Sequence, residues 1–287
     1  MKKSVTSILF AIASFLITAS LCAQNDTYSF LYKDGLPVFL NRTNNQGVTV
    51  GAFGFGGILL KDGRYTLFPL PGDNIQTPQV SDINDGGHIV GEYFTQAGAV
   101  GYLLKNGAIT VLQVPGAGRT TPQGLNNGDV VVGTVQVAPN KSEAFIYRRG
   151  EFTRLAVPGA IFVNLWDIND AGDAVGEVTT STSPTFDTYP FLYRNGVITP
   201  LPVIPGAGNT RVFSINNRGE MTGMLLTTNQ PIQQTGFILR NGQFEMFRIL
   251  GSVSFVPFGI NDKGDITGTY FGGSLNFEGT TFIRPGK

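Results

Sequence analysis

The chain has 287 residues, enough for one or two domains and a sizeable core. Only 14% are charged, the formal net charge is +0, and no Lys/Arg run exists, which excludes nucleic acid and anionic membrane surfaces as partners. Gly (38 residues) and Phe (22) are abundant, as in a turn-rich β protein with a large buried area.

In chain order, Lys2 and Lys3 precede an apolar run from Ile8 to Ile17, then Ala19-Ser20-Leu21-Cys22-Ala23-Gln24. This is the layout of a secretory leader. The run is too short to span a bilayer, which takes about 20 apolar residues. Cleavage is expected after Ala23, leaving 24–287 as one exported domain, either secreted, periplasmic or at the cell surface. A lipidated Cys22 is the alternative, although Leu21 stands where that processing wants a small residue; an uncleaved anchor is a third reading. Cleavage removes the single cysteine, so the exported domain must hold together through its core rather than through disulfides.

After the leader two units alternate. One is an apolar residue, Asn, Asp or Asn, and a closing Gly, at Thr43–Gly51, Ile83–Gly91, Leu125–Gly133, Ile168–Gly176, Ile215–Gly223 and Ile260–Gly268. Its Asn stands at 44, 84, 126, 169, 216 and 261. An Asn side chain can bond its own backbone two residues on, and an internal Gly takes the positive φ that a tight turn requires. The copy Leu125-Asn126-Asn127-Gly128-Asp129 puts Asp where that Gly is expected; Asp tolerates the left-handed region, so the turn should still form with slight strain.

The second unit is an apolar strand, a basic residue, then Asp, Asn or Arg, and Gly. Phe30-Leu31-Tyr32-Lys33-Asp34-Gly35 and Phe191-Leu192-Tyr193-Arg194-Asn195-Gly196 are examples, and a truncated seventh copy, Phe282-Ile283-Arg284, ends the chain. Asp-Gly and Asn-Gly are hairpin signals. Each is followed by a short strand and usually a Pro-Gly turn, so every interval holds four short strands. Closing glycines at 51, 91, 133, 176, 223 and 268 give a period near that of a propeller blade. The strands are apolar at successive positions, as expected where both faces of a sheet are covered.

The expected fold is therefore an all-β, six-bladed β-propeller with four short antiparallel strands per blade; seven blades and an open solenoid are the alternatives. The surplus seventh strand suggests that the segment Tyr28–Leu40 completes the blade formed by Ser254–Arg284, so that N- and C-terminal strands close the circle and no sheet edge is left free.

The turn unit followed by Ala/Gly-Phe-Leu-Tyr-x-x-Gly resembles the bacterial extracellular repeat family named HAF, over nearly the whole exported chain. Ala144-Phe145-Ile146-Tyr147 is the nearest copy of its naming triplet, with Glu143 where that triplet has His, and Val/Leu-Pro-Gly-Ala replaces the family's Leu-Gly-rich ending. The resemblance implies an exported propeller and no particular activity. The strand order also looks like that of WD-repeat blades, which implies that the strand before each Asn is innermost.

The turns vary little among the repeats, whereas the segment after each closing Gly lengthens from Gly51–Ile58 to Gly176–Phe191. Variable loops on a rigid scaffold are where binding concentrates. The ligand-binding candidates are Phe186 and Tyr189 in the longest loop, Arg119 and Arg211 after the Pro-Gly-Ala-Gly turns, and Asn164 and Trp166 before a turn unit. The alternative for each is packing between blades or solvation.

Catalytic parts are scarce. His88 is the single histidine and sits beside a tight turn; no Gly-x-Ser-x-Gly exists, and zinc lacks its usual ligands. Glu92 and Glu177 each follow a closing Gly and form the one carboxylate pair worth weighing, two blades apart. Asp167, Asn169 and Asp173 imitate the start of a calcium loop, but Val178 stands where the bidentate Glu belongs. Asn25, Asn41 and Asn140 head glycosylation sequons. The expectation is an exported, monomeric, non-enzymatic binding or scaffold propeller without metal or cofactor, its ligand a carbohydrate or a protein on the long-loop face. A propeller polysaccharide lyase or glycoside hydrolase using acidic residues is the alternative.

Overall fold

The computed structural model describes residues 29–33, 36–37, 39–53, 56–68, 76–96, 98–180, 188–204, 206–227, 234–247, 252–272 and 279–284. Among them every regular element is a β-strand, so the all-β expectation holds.

Strands β1 (Ser29–Lys33) and β2 (Leu36–Pro37) open the chain. The first four-stranded sheet follows as β3 (Phe39–Thr43), β4 (Thr49–Phe53), β5 (Gly56–Lys61) and β6 (Arg64–Leu67). The second is β7 (Gln76–Ile83), β8 (Ile89–Thr95), β9 (Gly98–Lys105) and β10 (Ala108–Leu112). The third is β11 (Thr120–Leu125), β12 (Val131–Ala138), β13 (Lys141–Arg148) and β14 (Glu151–Leu155). The fourth is β15 (Phe162–Ile168), β16 (Ala174–Thr179), β17 (Thr188–Arg194) and β18 (Val197–Pro200). The fifth is β19 (Ala207–Ile215), β20 (Met221–Thr227), β21 (Gln234–Arg240) and β22 (Gln243–Phe247). Last come β23 (Ser252–Ile260), β24 (Ile266–Gly272) and β25 (Gly279–Arg284).

Within each sheet the strands pair antiparallel in sequence order. A single parallel bridge, Ser142 with Phe162, ties the third sheet to the fourth. The last sheet runs β2-β1-β25-β24-β23, with Phe30 opposite Phe282. Phe39 and Leu40, which the sequence reading placed with this sheet, belong instead to the first, because the bulge before Asn44 carries them into the ladder with Ala52 and Gly51.

The hairpins explain their dipeptides. Asp62, Asn106, Asn195 and Asn241 have φ near 50° and the Gly after each is also positive, the two left-handed residues of a type I′ turn. Arg149-Gly150 makes the same turn at φ 52° and 92°, so Arg tolerates a conformation it rarely takes. Asp129 takes φ 58° in place of the missing Gly, as its turn requires.

The closing glycines have a different task. An added Cβ would lie 1.9 Å from Phe39 O at Gly51, 2.0 Å from Gln79 O at Gly91 and 2.0 Å from Asn164 O at Gly176. They sit beside the bulge that the strand before each Asn makes two or three residues ahead of it, where only a hydrogen fits.

The core lies between sheets. Val132, Ala144, Val163, Leu165 and Ala174 interlock the third and fourth; Val90, Leu103, Leu125, Val131 and Phe145 interlock the second and third. All six residues of β16 are buried, which accounts for the absence of alternation in the sequence.

Candidate functional site

The six turns do more than reverse the chain. In each, Asn Oδ1 accepts from the backbone amides that follow, as Asn44 does from Gln46 (3.0 Å) and Val48 (2.9 Å). Its Nδ2 then donates to the backbone carbonyl of the Asn in the next repeat: Asn44 to Asn84, Asn84 to Asn126, Asn126 to Asn169, Asn169 to Asn216 and Asn216 to Asn261, at 3.0–3.2 Å. Asn261 donates to Asn44 at 3.1 Å. Asp could cap the turn but could not donate, so the carboxamide is needed at both ends.

The next residue in each turn alternates: Asn45, Asp85, Asn127, Asp170, Asn217, Asp262. Each Asn amide nitrogen donates to the Oδ2 of the Asp on either side. Asn45 reaches Asp85 and Asp262 (both 2.8 Å), Asn127 reaches Asp85 (3.1 Å) and Asp170 (2.9 Å), and Asn217 reaches Asp170 and Asp262 (both 2.9 Å).

These turns surround a cavity with an empty volume of about 460 Å³, its open mouth included, lined from all six repeats by the ends of the strands before each Asn. Two residues before the Asn stand Arg42, Asp82, Gly124, Asp167, Ser214 and Gly259. Arg42 crosses the cavity: its Nη2 donates to Trp166 O (3.2 Å) and Phe213 O (2.8 Å), and its Nε lies 4.0 Å from Asp82 and 3.9 Å from Asp167. Asp82 also accepts from the amides of Ile83 and Leu125; Asp167 accepts from the amides of Ile168 and Ile215 and from Ser214 Oγ (2.5 Å). Burial, then the Asp167 charge, push the Asp82 carboxyl up to about 8 against the pull of Arg42 and the two amides. These groups were not singled out as a set by the sequence. The signal was one column of the repeat, readable only once the inward side of the strand is known.

Further along the same strands, away from the turns, stand three of the six sequence candidates. Trp166, Phe213 and Phe258 hold the same position in three successive repeats and touch in series, centroids 6.1 and 5.9 Å apart. The Arg211 guanidinium lies over Trp166 (5.7 Å) and Phe213 (5.1 Å) and is bidentate to Glu177 (2.8 and 2.7 Å). Asn164 donates to Glu177 (3.3 Å) and accepts from Thr134 Oγ1 (3.0 Å). Trp166 Nε1 is buried with no hydrogen-bond partner.

Asn164, Trp166 and Arg211 are thus brought together. Arg119 is elsewhere, forked onto the buried Glu92, whose hydrogen bond raises the Arg119 pKa. Tyr189 is exposed on β17 beside Val178. Phe186 lies outside the described residues. Glu92 and Glu177 are each held by an arginine from the following sheet.

His88 Nδ1 lies 2.6 Å from Asp129 Oδ1, and Lys105 Nζ 2.5 Å from Oδ2. Burial raises the Asp129 pKa, but the bonds from Lys105 and His88 outweigh it and hold the carboxyl below its usual value. The calcium imitation dissolves into separate partnerships: Asp173 forks onto Arg194, Asn169 caps its own turn, and Asp167 faces the cavity. Among the described residues no three His, Cys, Asp or Glu side chains are grouped as for a metal, and no helix is long and apolar enough to cross a membrane.

No protein-family model matches the chain, nor does any curated protein. Solved structures do. AofleA from Arthrobotrys oligospora is 15% identical over 94% of this chain and 93% of its own, with a TM-score of 0.52. TolB from Acinetobacter baumannii is 12% identical over 87% of this chain and 64% of its own, TM-score 0.51. The WD40 beta propeller domain of Doa1 is 12% identical over 85% and 78%, TM-score 0.48. The structural neighbours are β-propellers, and at these identities the likeness is one of fold.

Proposed function

We propose that the chain is an exported, non-catalytic binding propeller of six blades, closed by its N- and C-terminal strands, with its ligand, a carbohydrate or a protein, at the channel end remote from the Asn turns. The observation that carries the binding reading is the contiguous set Trp166, Phe213 and Phe258 with Arg211, Glu177 and Asn164 over it. Aromatic faces beside a few fixed polar groups are what binding sites are made of. Export rests on the leader pattern of Lys2 to Gln24, and kinship with the HAF repeats on the doubled motif. The blade count rests on the pairing of β1 with β25 and on the six asparagine links that return to Asn44.

The lyase or hydrolase reading requires a carboxyl group free to exchange a proton. Glu92 and Glu177 each spend both oxygens on an arginine fork, which favours the binding reading. The test is a glycan array and a pull-down from the surrounding medium beside a polysaccharide degradation screen, all on purified protein. Retained ligand without product is expected. Product formation abolished by Glu92→Gln or Glu177→Gln would overturn the reading.

A further inference from the structure

We propose that Arg42 is a proton-controlled bolt in the cavity. While Asp82 carries a proton, the guanidinium stays on the carbonyls of Trp166 and Phe213; when Asp82 ionises, the guanidinium is drawn to it and lets go of Trp166. This device does not depend on what the chain binds. Three features lead there.

The first is a donor without an acceptor. Arg42 Nε is buried and has no hydrogen-bond partner among the described residues, while Nη2 of the same guanidinium serves two carbonyls. Nε lies between Asp82 Oδ1 at 4.0 Å and Asp167 Oδ2 at 3.9 Å, beyond hydrogen-bond reach of both. A buried charged donor gains from a step of about 1 Å that brings it an acceptor.

The second is unequal accepting capacity. A carboxylate oxygen accepts about two hydrogen bonds. Asp167 Oδ2 already takes Ile215 N and Ser214 Oγ, so the oxygen nearest Nε on that side is full. Asp82 Oδ1 takes only Ile83 N and keeps one lone pair to give. That lone pair attracts a guanidinium strongly only when the carboxyl is ionised. Two acids share this one cation, and Asp167 has three donors against two for Asp82, so Asp82 is the one that holds a proton. Burial, then the Asp167 charge, keep its carboxyl up at about 8, within an ordinary change of pH. The strands packed against β7 bring few other charges. β4 and β11 carry none, β8 brings Tyr93 and Glu92, the latter held by Arg119, and β5 ends in the exposed Lys61. His88, beyond the turn, is held by Asp129, and Asp85, Asp170 and Asp262 line the same cavity, each bonded to the amides beside it.

The third is which side moves. Asp82 is fixed by Ile83 N on one oxygen (2.7 Å) and Leu125 N, from the next sheet, on the other (2.8 Å). Arg42 is held at its tip by a 2.8 Å bond to Phe213 O and a 3.2 Å bond to Trp166 O, the second at the long end of the range. The guanidinium is planar and rigid, so carrying Nε toward Asp82 draws Nη2 off Trp166 O first.

Trp166 is the single tryptophan, so its emission reports on the bolt. Purified protein titrated from about pH 6 to about pH 10 at fixed ionic strength should show a sigmoidal change in emission with its midpoint at about 8. Asp82→Asn should abolish it. Asp167→Asn removes the neighbouring charge and should lower the midpoint by about one unit or more. Arg42→Lys keeps the charge without the planar fork and should cut the amplitude by about half or more. His88→Gln should leave the curve unchanged. Thermal melts establish which variants are folded, and where Asp82→Asn is not, the Asp167→Asn midpoint and the Arg42→Lys amplitude decide. A flat wild-type curve overturns the proposal. So does a response that survives Asp82→Asn, is undiminished in Arg42→Lys, keeps its midpoint in Asp167→Asn, or vanishes in His88→Gln.

Discussion

Arg42 shows how much one side chain carries. It is a cation set between two buried acids, and it also satisfies two backbone carbonyls on the far wall. Replacing it by Met keeps the volume and strands both acids, so Arg42→Met should lower unfolding free energy by about 3–5 kcal/mol, read from the urea midpoint. Asp82 makes a second prediction with a definite sign. Its carboxyl keeps a proton up to about 8 in the fold, against 3.8 unfolded, so this group's contribution is full below pH 3.8. It is then lost as pH rises and is gone above about 8. Asp82→Asn forfeits one acceptor at every pH but removes the slope. The urea midpoint of wild type relative to that of the variant should therefore fall between pH 3.8 and about 8, and a difference independent of pH would contradict it.

At the level of the element, the turn and the closing glycine make opposite demands. The turn Asn serves two partners, so its two plausible substitutions should separate them. Asn169→Asp keeps the acceptor for Asp173 N but leaves Asn216 O without its donor; Asn169→Ala loses both. A loss of about 1–3 kcal/mol is expected for Asp and a larger one for Ala, by chemical denaturation. Gly176→Ala should not yield folded protein, because the new methyl would sit 2.0 Å from Asn164 O in the strand it must pair with; a cooperative melt near the wild-type midpoint would refute this.

The sequence showed these elements well. The Asn-Gly hairpins, the Asp129 turn and the four-strand sheets follow from local chemistry, since a turn's dihedral needs are written in two or three adjacent residues. Its account of the Asn was half complete: capping is local, whereas donation to the next repeat is not. The same divide runs through the site. Glu92 with Glu177, and Arg119 with Arg211, drew attention as like with like, but the pairing of each acid with an arginine depends on how one sheet sits on the next. Arg42 on β3 and Asp82 on β7 were missed because the cavity they share is lined from six repeats far apart in sequence, and no local pattern tells which side of those strands faces it.

For the whole molecule, the proposed circle depends on β1 lying beside β25. Leu31 and Thr281 are opposite each other in that pair, so Leu31→Cys with Thr281→Cys should form a disulfide within one chain in protein comprising residues 24–287. Removing Ser29–Lys33 should instead bare the edge of β25 and give dimers or larger species by light scattering, with a lower melting temperature.

The band of Asn45, Asp85, Asn127, Asp170, Asn217 and Asp262 also constrains how such a molecule can change size. Every acid there has amides for both neighbours, an arrangement that only an even tally permits. Gaining or losing one repeat would seat two carboxylates, or two carboxamides, side by side, and the odd place would repel or go unbonded. Growth of this architecture by duplication should therefore proceed two repeats at a time, with the acid-bearing and amide-bearing copies inherited as a couple.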